Sequence, residues 1–126
     1  MNGIDLLLTE HAMVRELFAA FAADPTGAVA GEIFDKLTTH DDAEQSALYP
    51  MIEALVDAEA AWEARADHAQ LKQLIDQARQ EEGAALLATM QTIEAAVLAH
   101  VETEEGDLFP RLADAAGPEG LGHLAA

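Results

Sequence analysis

Two histidine–glutamate pairs stand four residues apart, His40 with Glu44 and His100 with Glu104, and the surroundings of the first recur around the second. Leu48, Tyr49 and Pro50 follow the first pair, and Leu108, Phe109 and Pro110 follow the second, each 60 positions later. A helix advances about 100° per residue, so side chains four apart leave nearly the same face, one turn from each other. Imidazole and carboxylate side by side are metal-ligating chemistry, because imidazole suits iron, zinc, copper or nickel and a carboxylate can bridge two ions. Two more histidines belong to a second repeat: Glu10-His11-Ala12-Met13-Val14-Arg15-Glu16-Leu17 matches Asp67-His68-Ala69-Gln70-Leu71-Lys72-Gln73-Leu74 in character almost position by position.

The elements that must hold these residues are helices. Ala, Leu and Glu dominate a chain with few aromatics, and apolar residues recur at helical spacing. A first helix, capped by Asn2, runs through Ile4, Leu7, Leu8, Val14, Phe18 and Phe21 to about Ala23. Asp24-Pro25 is expected to open a second, whose buried series is Ile33, Leu37, Leu48, Met51, Ile52 and Leu55. Asp57 is expected to cap a third, carrying Leu71, Leu74, Ile75 and Ala78 and interrupted near Glu82-Gly83. The fourth continues through Leu86, Leu87, Met90, Ile93, Val97, Val101, Leu108 and Leu112 until Ala116-Gly117-Pro118 stops it. Short connections make this an all-α, antiparallel up-down-up-down four-helix bundle, a helix hairpin duplicated over residues 1–116, with 117–126 expected to be a flexible tail.

In an antiparallel hairpin two residues stand level when the turn lies midway between them. His11 and His40 centre on Pro25-Thr26, His68 and His100 on Ala84 beside Gly83, and Glu44 and His68 on Val56 beside Asp57. Each midpoint is a predicted turn, so His11, His40, Glu44, His68, His100 and Glu104 converge on one layer. Burying four imidazoles and two carboxylates in a small apolar core is strongly unfavourable unless each is paired or coordinates an ion. By symmetry each of two metals takes two histidines and shares both glutamates. Four protein ligands per metal fall short of the six of octahedral iron, so an oxo or hydroxo bridge and exchangeable positions are expected.

His, then His-x-x-x-Glu, then His, then His-x-x-x-Glu resembles the hemerythrin-like, or HHE cation-binding, family, over about residues 3 to 113. The resemblance implies a di-iron centre with the same six residues as ligands and Glu44 and Glu104 bridging, zinc or manganese being the other candidates. Oxygen-carrying members have a further histidine one turn after the ligand of the third helix, where this chain has Lys72, and five residues rather than four between the last histidine and its carboxylate. One metal is therefore expected to lack a histidine, with Glu105 a rival to Glu104. The implied function is a non-haem di-iron protein binding or sensing dioxygen, peroxide or nitric oxide. An oxidoreductase acting on peroxide or nitric oxide, iron storage or delivery, and a structural metal-binding bundle are the other readings. No catalytic acid or base is evident, and no flavin or nucleotide motif points to an electron donor.

The remaining residues restrict the reading further. Six Lys or Arg against 24 Asp or Glu give a net charge of −18, which repels phosphate backbones and anionic membranes alike, so neither nucleic acid nor membrane is an expected partner. The absence of cysteine leaves any metal to nitrogen and oxygen ligands. No apolar run approaches the roughly 20 residues of a membrane span, and an acid stands where a signal peptide would be positive, so the cytoplasm is the expected location. Tyr49 and Phe109, five residues beyond the glutamates, are rotated off the ligand face and read as packing, with Tyr49 kept as an alternative ligand or redox participant. Trp62 also reads as packing, Pro50 and Pro110 as bends that wrap the core, and the acidic runs at Asp41-Asp42 and 102–107 as solvated faces. His123, in a Gly-rich tail, is left out of the site.

Overall fold

A computed structural model describes the backbone of residues 3–125 and the side chains of 4–117. The helices are α1 (Gly3–Ala23), α2 (Gly27–Ala43), α3 (Tyr49–Leu55), α4 (Ala58–Ala78), α5 (Gly83–Thr103) and α6 (Phe109–Ala125). α2 and α3 form one rod through a π-helical turn at Glu44–Leu48, and α5 and α6 another through a π-helical turn at Glu104–Leu108. The result is an all-α four-helix bundle, as expected, with no strand among the described residues. α1 packs on α2 and α6, and α4 packs on α3 and α5.

Turn chemistry explains where the rods end. Thr26, in extended conformation, caps α2 by accepting a hydrogen bond from Val29 N–H at 3.3 Å. The cap expected at Asp24-Pro25 is thus displaced, because Pro25 stays in the connection and the next hydroxyl residue takes the role. Asp57 caps α4 as expected, its Oδ1 accepting from Glu59 N–H at 2.9 Å. Gly83 turns the chain into α5 at φ +61°, a conformation costly for any residue with a Cβ. At Gly117 the backbone leaves helical geometry (φ 69°, ψ 177°), then returns to helix up to Ala125. The cap expected at Asn2 and the side chain of His123 lie outside the described residues.

The core is two apolar clusters with a polar layer between them. Val14, Phe18, Ile33, Leu37, Ile75, Met90 and Ile93 belong to one, and Leu7, Leu48, Tyr49, Ile52, Ala64, Leu108 and Leu112 to the other. On every rod a histidine stands at the junction. Of the expected core, Leu8, Leu55 and Leu87 are exposed instead, as is Trp62 at 71% of its surface. Leu55 misses the core because the π turn advances the inward face by one residue, so that Leu48, Tyr49 and Ile52 are buried.

The run Gly83–Gly117 corrects the expectation about membrane spans, being long and apolar enough to cross a bilayer by length and composition. Its inward residues Leu86, Met90, Ile93, Val97 and Val101 are buried in the bundle, so packing accounts for part of that hydropathy.

Candidate metal centre

Each half of the polar layer gathers four potential ligands within 4.8 Å of one another: His11, His40, Glu44 and Glu104 in one half, and His68, His100, Glu44 and Glu104 in the other. Both glutamates are fully buried and common to the two halves. Glu44 spans them. Its Oε1 contacts His40 Nε2 and lies 3.7 Å from His11 Nε2, while its Oε2 lies 3.1 Å from His68 Nε2 and 3.6 Å from His100 Nε2. Glu104 spans them too, with Oε1 3.2 Å from His11 Nε2 and Oε2 2.8 Å from His100 Nε2. Glu105 lies outside this inner set, against His11 Nδ1 at 2.9 Å.

The donor set fits metal ions. Within each half the two imidazoles face each other through Nε2, at 3.1 Å for His11 and His40 and at 2.9 Å for His68 and His100. Glu44 Oε1 and Glu104 Oε1 are buried without a hydrogen-bond partner. A proton shared by each histidine pair would leave those oxygens unmet, at a cost of roughly 1–3 kcal/mol each. A cation among two nitrogens and two oxygens satisfies all four donors at once.

Without metal, protons take that place. Burial disfavours charge on His11, but the neighbouring carboxylates of Glu104, Glu44 and Glu105 outweigh it and hold the imidazole up at about 9. Burial likewise opposes, and Asp41 and Glu44 overcome it, for His68 at about 9; Glu104 and Glu44 do so for His100 at about 10. Glu44 is kept well below the ordinary carboxylate range, since contacts with all four histidines overcome the burial that would raise it.

Histidines raised above 6.5 contribute stability that is complete below about 6.5 and lost as the pH climbs through about 9 to 10. Glu44 contributes stability present above about 4.5 and lost as the pH falls. Metal-free protein is therefore expected to show its highest thermal midpoint between about pH 4.5 and 6.5 and a steady decline from there to about pH 10. A flat profile above pH 6.5 would refute this account of the cluster.

Tyr49 is the residue whose place the helical wheel missed. In an α-helix a residue five beyond Glu44 points away from it. In the π turn, however, Glu44 C=O accepts from Tyr49 N–H, an i→i+5 bond that brings Tyr49 back over Glu44. Its buried hydroxyl donates to Glu44 Oε2 at 2.5 Å and stands 3.2 Å from Glu104 Oε2 and 3.0 Å from His100 Nε2. Phe109, its counterpart in the repeat, stacks on His11 at 5.8 Å and offers no oxygen, so the halves are chemically unequal. The signal in the sequence was Pro50 and Pro110. A proline ring clashes with the carbonyl four residues back in an α-helix, and a widened turn relieves it.

A cavity of about 260 Å³ reaches all four histidines from the side, between walls that include Val14, Leu37, Leu71, Leu74, Val97 and Val101. A second cleft, of about 230 Å³, also reaches His68 and has the charged residues Asp41, Asp42, Lys72, Asp76 and Arg79 on its walls. Lys72, at the position of the oxygen carriers' further histidine, is exposed.

The family model described as the hemerythrin HHE cation binding domain matches residues 2–123. No curated protein and no solved structure matches the chain.

Proposed function

This chain belongs to the hemerythrin HHE cation-binding domain family, and from that premise we propose a non-haem di-iron protein that binds or senses a small molecule, dioxygen, peroxide or nitric oxide. One observation carries the reading: two buried carboxylates each present one oxygen to either half of a four-histidine layer, an arrangement suited to two ions held side by side. Iron, when bound, would supply the change of oxidation state.

The chain's own residues supply the rest. His11 and His40 would hold one ion and His68 and His100 the other, with Glu44 and Glu104 between them. Tyr49 Oη, 3.0 Å from His100 Nε2 and hydrogen-bonded to Glu44, would offer the half served by His68 and His100 a further oxygen ligand in place of the histidine that Lys72 replaces. The apolar cavity leading to the histidines suits small, weakly hydrated molecules and disfavours ions. A phenol beside the cluster also favours the second reading, an oxidoreductase acting on peroxide or nitric oxide.

Metal analysis of protein loaded with iron tests the proposal. About two irons per chain are expected in the parent, and about one in His68→Ala, with a lower thermal midpoint because metal binding is linked to folding. Unchanged stoichiometry in the variant would remove His68 from the ligand set, and many irons per chain would select storage. Sustained turnover of peroxide or nitric oxide would select the oxidoreductase.

A further inference from the structure

Four acids face the four imidazoles from behind. Glu105 Oε2 is 2.9 Å from His11 Nδ1, and Glu10 Oε2 is 2.5 Å from His40 Nδ1. Asp41 Oδ1 contacts His68 Nδ1, out of line for a regular hydrogen bond, and Asp67 Oδ2 stands 3.9 Å from His100 Nδ1.

The pattern lies in where each acid comes from. Every one is next in sequence to a member of the inner cluster: Glu10 precedes His11, Asp41 follows His40, Asp67 precedes His68, and Glu105 follows Glu104. Neighbours on a helix leave its axis about 100° apart, so an acid beside an inward ligand points along the seam to the next rod. Glu10 on α1 thus meets His40 on α2, Asp41 on α2 meets His68 on α4, and Asp67 on α4 approaches His100 on α5. Glu105, just past α5, returns to His11 on α1 and closes the circuit.

Glu10 and Asp67 are equivalent in the internal repeat, but the other two acids are not. Glu105 corresponds by the 60-residue shift to Gln45, and Asp41 to Val101. Gln45 instead donates to Asp41 at 3.4 Å. Two different positions supply the acid on the second and fourth rods, so this half of the arrangement is not a by-product of the duplication.

We infer that Glu10, Asp41, Asp67 and Glu105 are positioning residues of the metal centre, a ring in which each rod orients the imidazole of the next and raises its electron donation. The inference rests on the reading of the four histidines as metal ligands. A carboxylate on Nδ1–H fixes the tautomer that leaves Nε2 free for metal and makes the imidazole a more basic ligand. More negative charge around the ions tightens their binding and favours the higher oxidation state of a redox metal. Asp67 is the weakest member, two-thirds exposed and the farthest from its histidine.

The test uses full-length protein carrying Glu10→Gln, Asp41→Asn or Asp67→Asn, each of which removes charge and keeps shape and an acceptor oxygen. Asp42→Asn is the control, since it removes the same charge one residue along from an exposed side chain. Chelator competition with zinc reads affinity, and spectroelectrochemistry of the iron-loaded protein reads potential. Glu10→Gln and Asp41→Asn are expected to bind zinc about 10-fold or more weakly at unchanged stoichiometry, and to raise the reduction potential. Asp67→Asn should do so less, and Asp42→Asn not at all. Equal responses of Asp41→Asn and Asp42→Asn, or unmoved potentials in every variant, overturn the ring. A parent that takes up neither zinc nor iron overturns the reading of the histidines as ligands, and the ring with it.

Discussion

Glu44→Ala is expected to abolish metal binding in both halves of the centre, where His68→Ala removes about one ion. Glu44 alone touches all four histidines, whereas Glu104 touches only His11 and His100. Removing it would take a candidate oxygen ligand from each half and the shared counter-charge from the whole layer. The metal-free protein is expected to suffer as well, because breaking a buried ionic cluster by deleting one partner costs about 3–5 kcal/mol. At this chain length that lowers the thermal midpoint by on the order of 10 °C or more. Thermal unfolding of chelator-treated protein, with metal content by elemental analysis, checks both. Glu104→Ala should retain more metal than Glu44→Ala, and the reverse order would show that the contacts of Glu44 do not set its importance.

Tyr49→Phe is expected to remove a phenolate-to-iron absorption band from the iron-loaded protein almost completely while leaving the bundle intact. The ring, fully buried in the apolar cluster that includes Leu48 and Ile52, keeps its packing in the variant, so only the hydroxyl is lost. In the metal-free cluster, burial and then the charges of Glu44 and Glu104 push the phenol far above its ordinary value, so it stays protonated and donates to Glu44. Bound cations reverse that local field and favour the phenolate. The same variant leaves Glu44 Oε2 short of a donor without metal, which should cost about 1–3 kcal/mol. Visible spectra of the two iron-loaded proteins decide the point. A band of equal strength in Tyr49→Phe would exclude Tyr49 from the metal's ligands.

His11, His40, Glu44, His68, His100 and Glu104 were legible in the sequence, and so was the layer they share. Spacing of four on a helix is a property of neighbours along one chain, and the midpoints of short hairpins convert residue numbers directly into heights. The rods were legible for the same reason, since apolar periodicity records which side of each faces the core. The cap at Thr26 and the exposure of Leu55 escaped because ends and irregular turns shift by a residue or two without altering that periodicity.

What only the tertiary structure decided involves two chain segments at once. Tyr49 enters the cluster because one rod widens into a π turn at Glu44, and a helical wheel assumes that turns never widen. Glu10, Asp41 and Glu105 pass for surface charge when their own helices are read singly, and acquire partners only when the adjacent rod brings an imidazole to the seam. The sequence by itself therefore determined which residues meet in the middle of this bundle. Packing between rods, which sequence spacing does not encode, determined what stands behind them and which half of the centre receives the phenol.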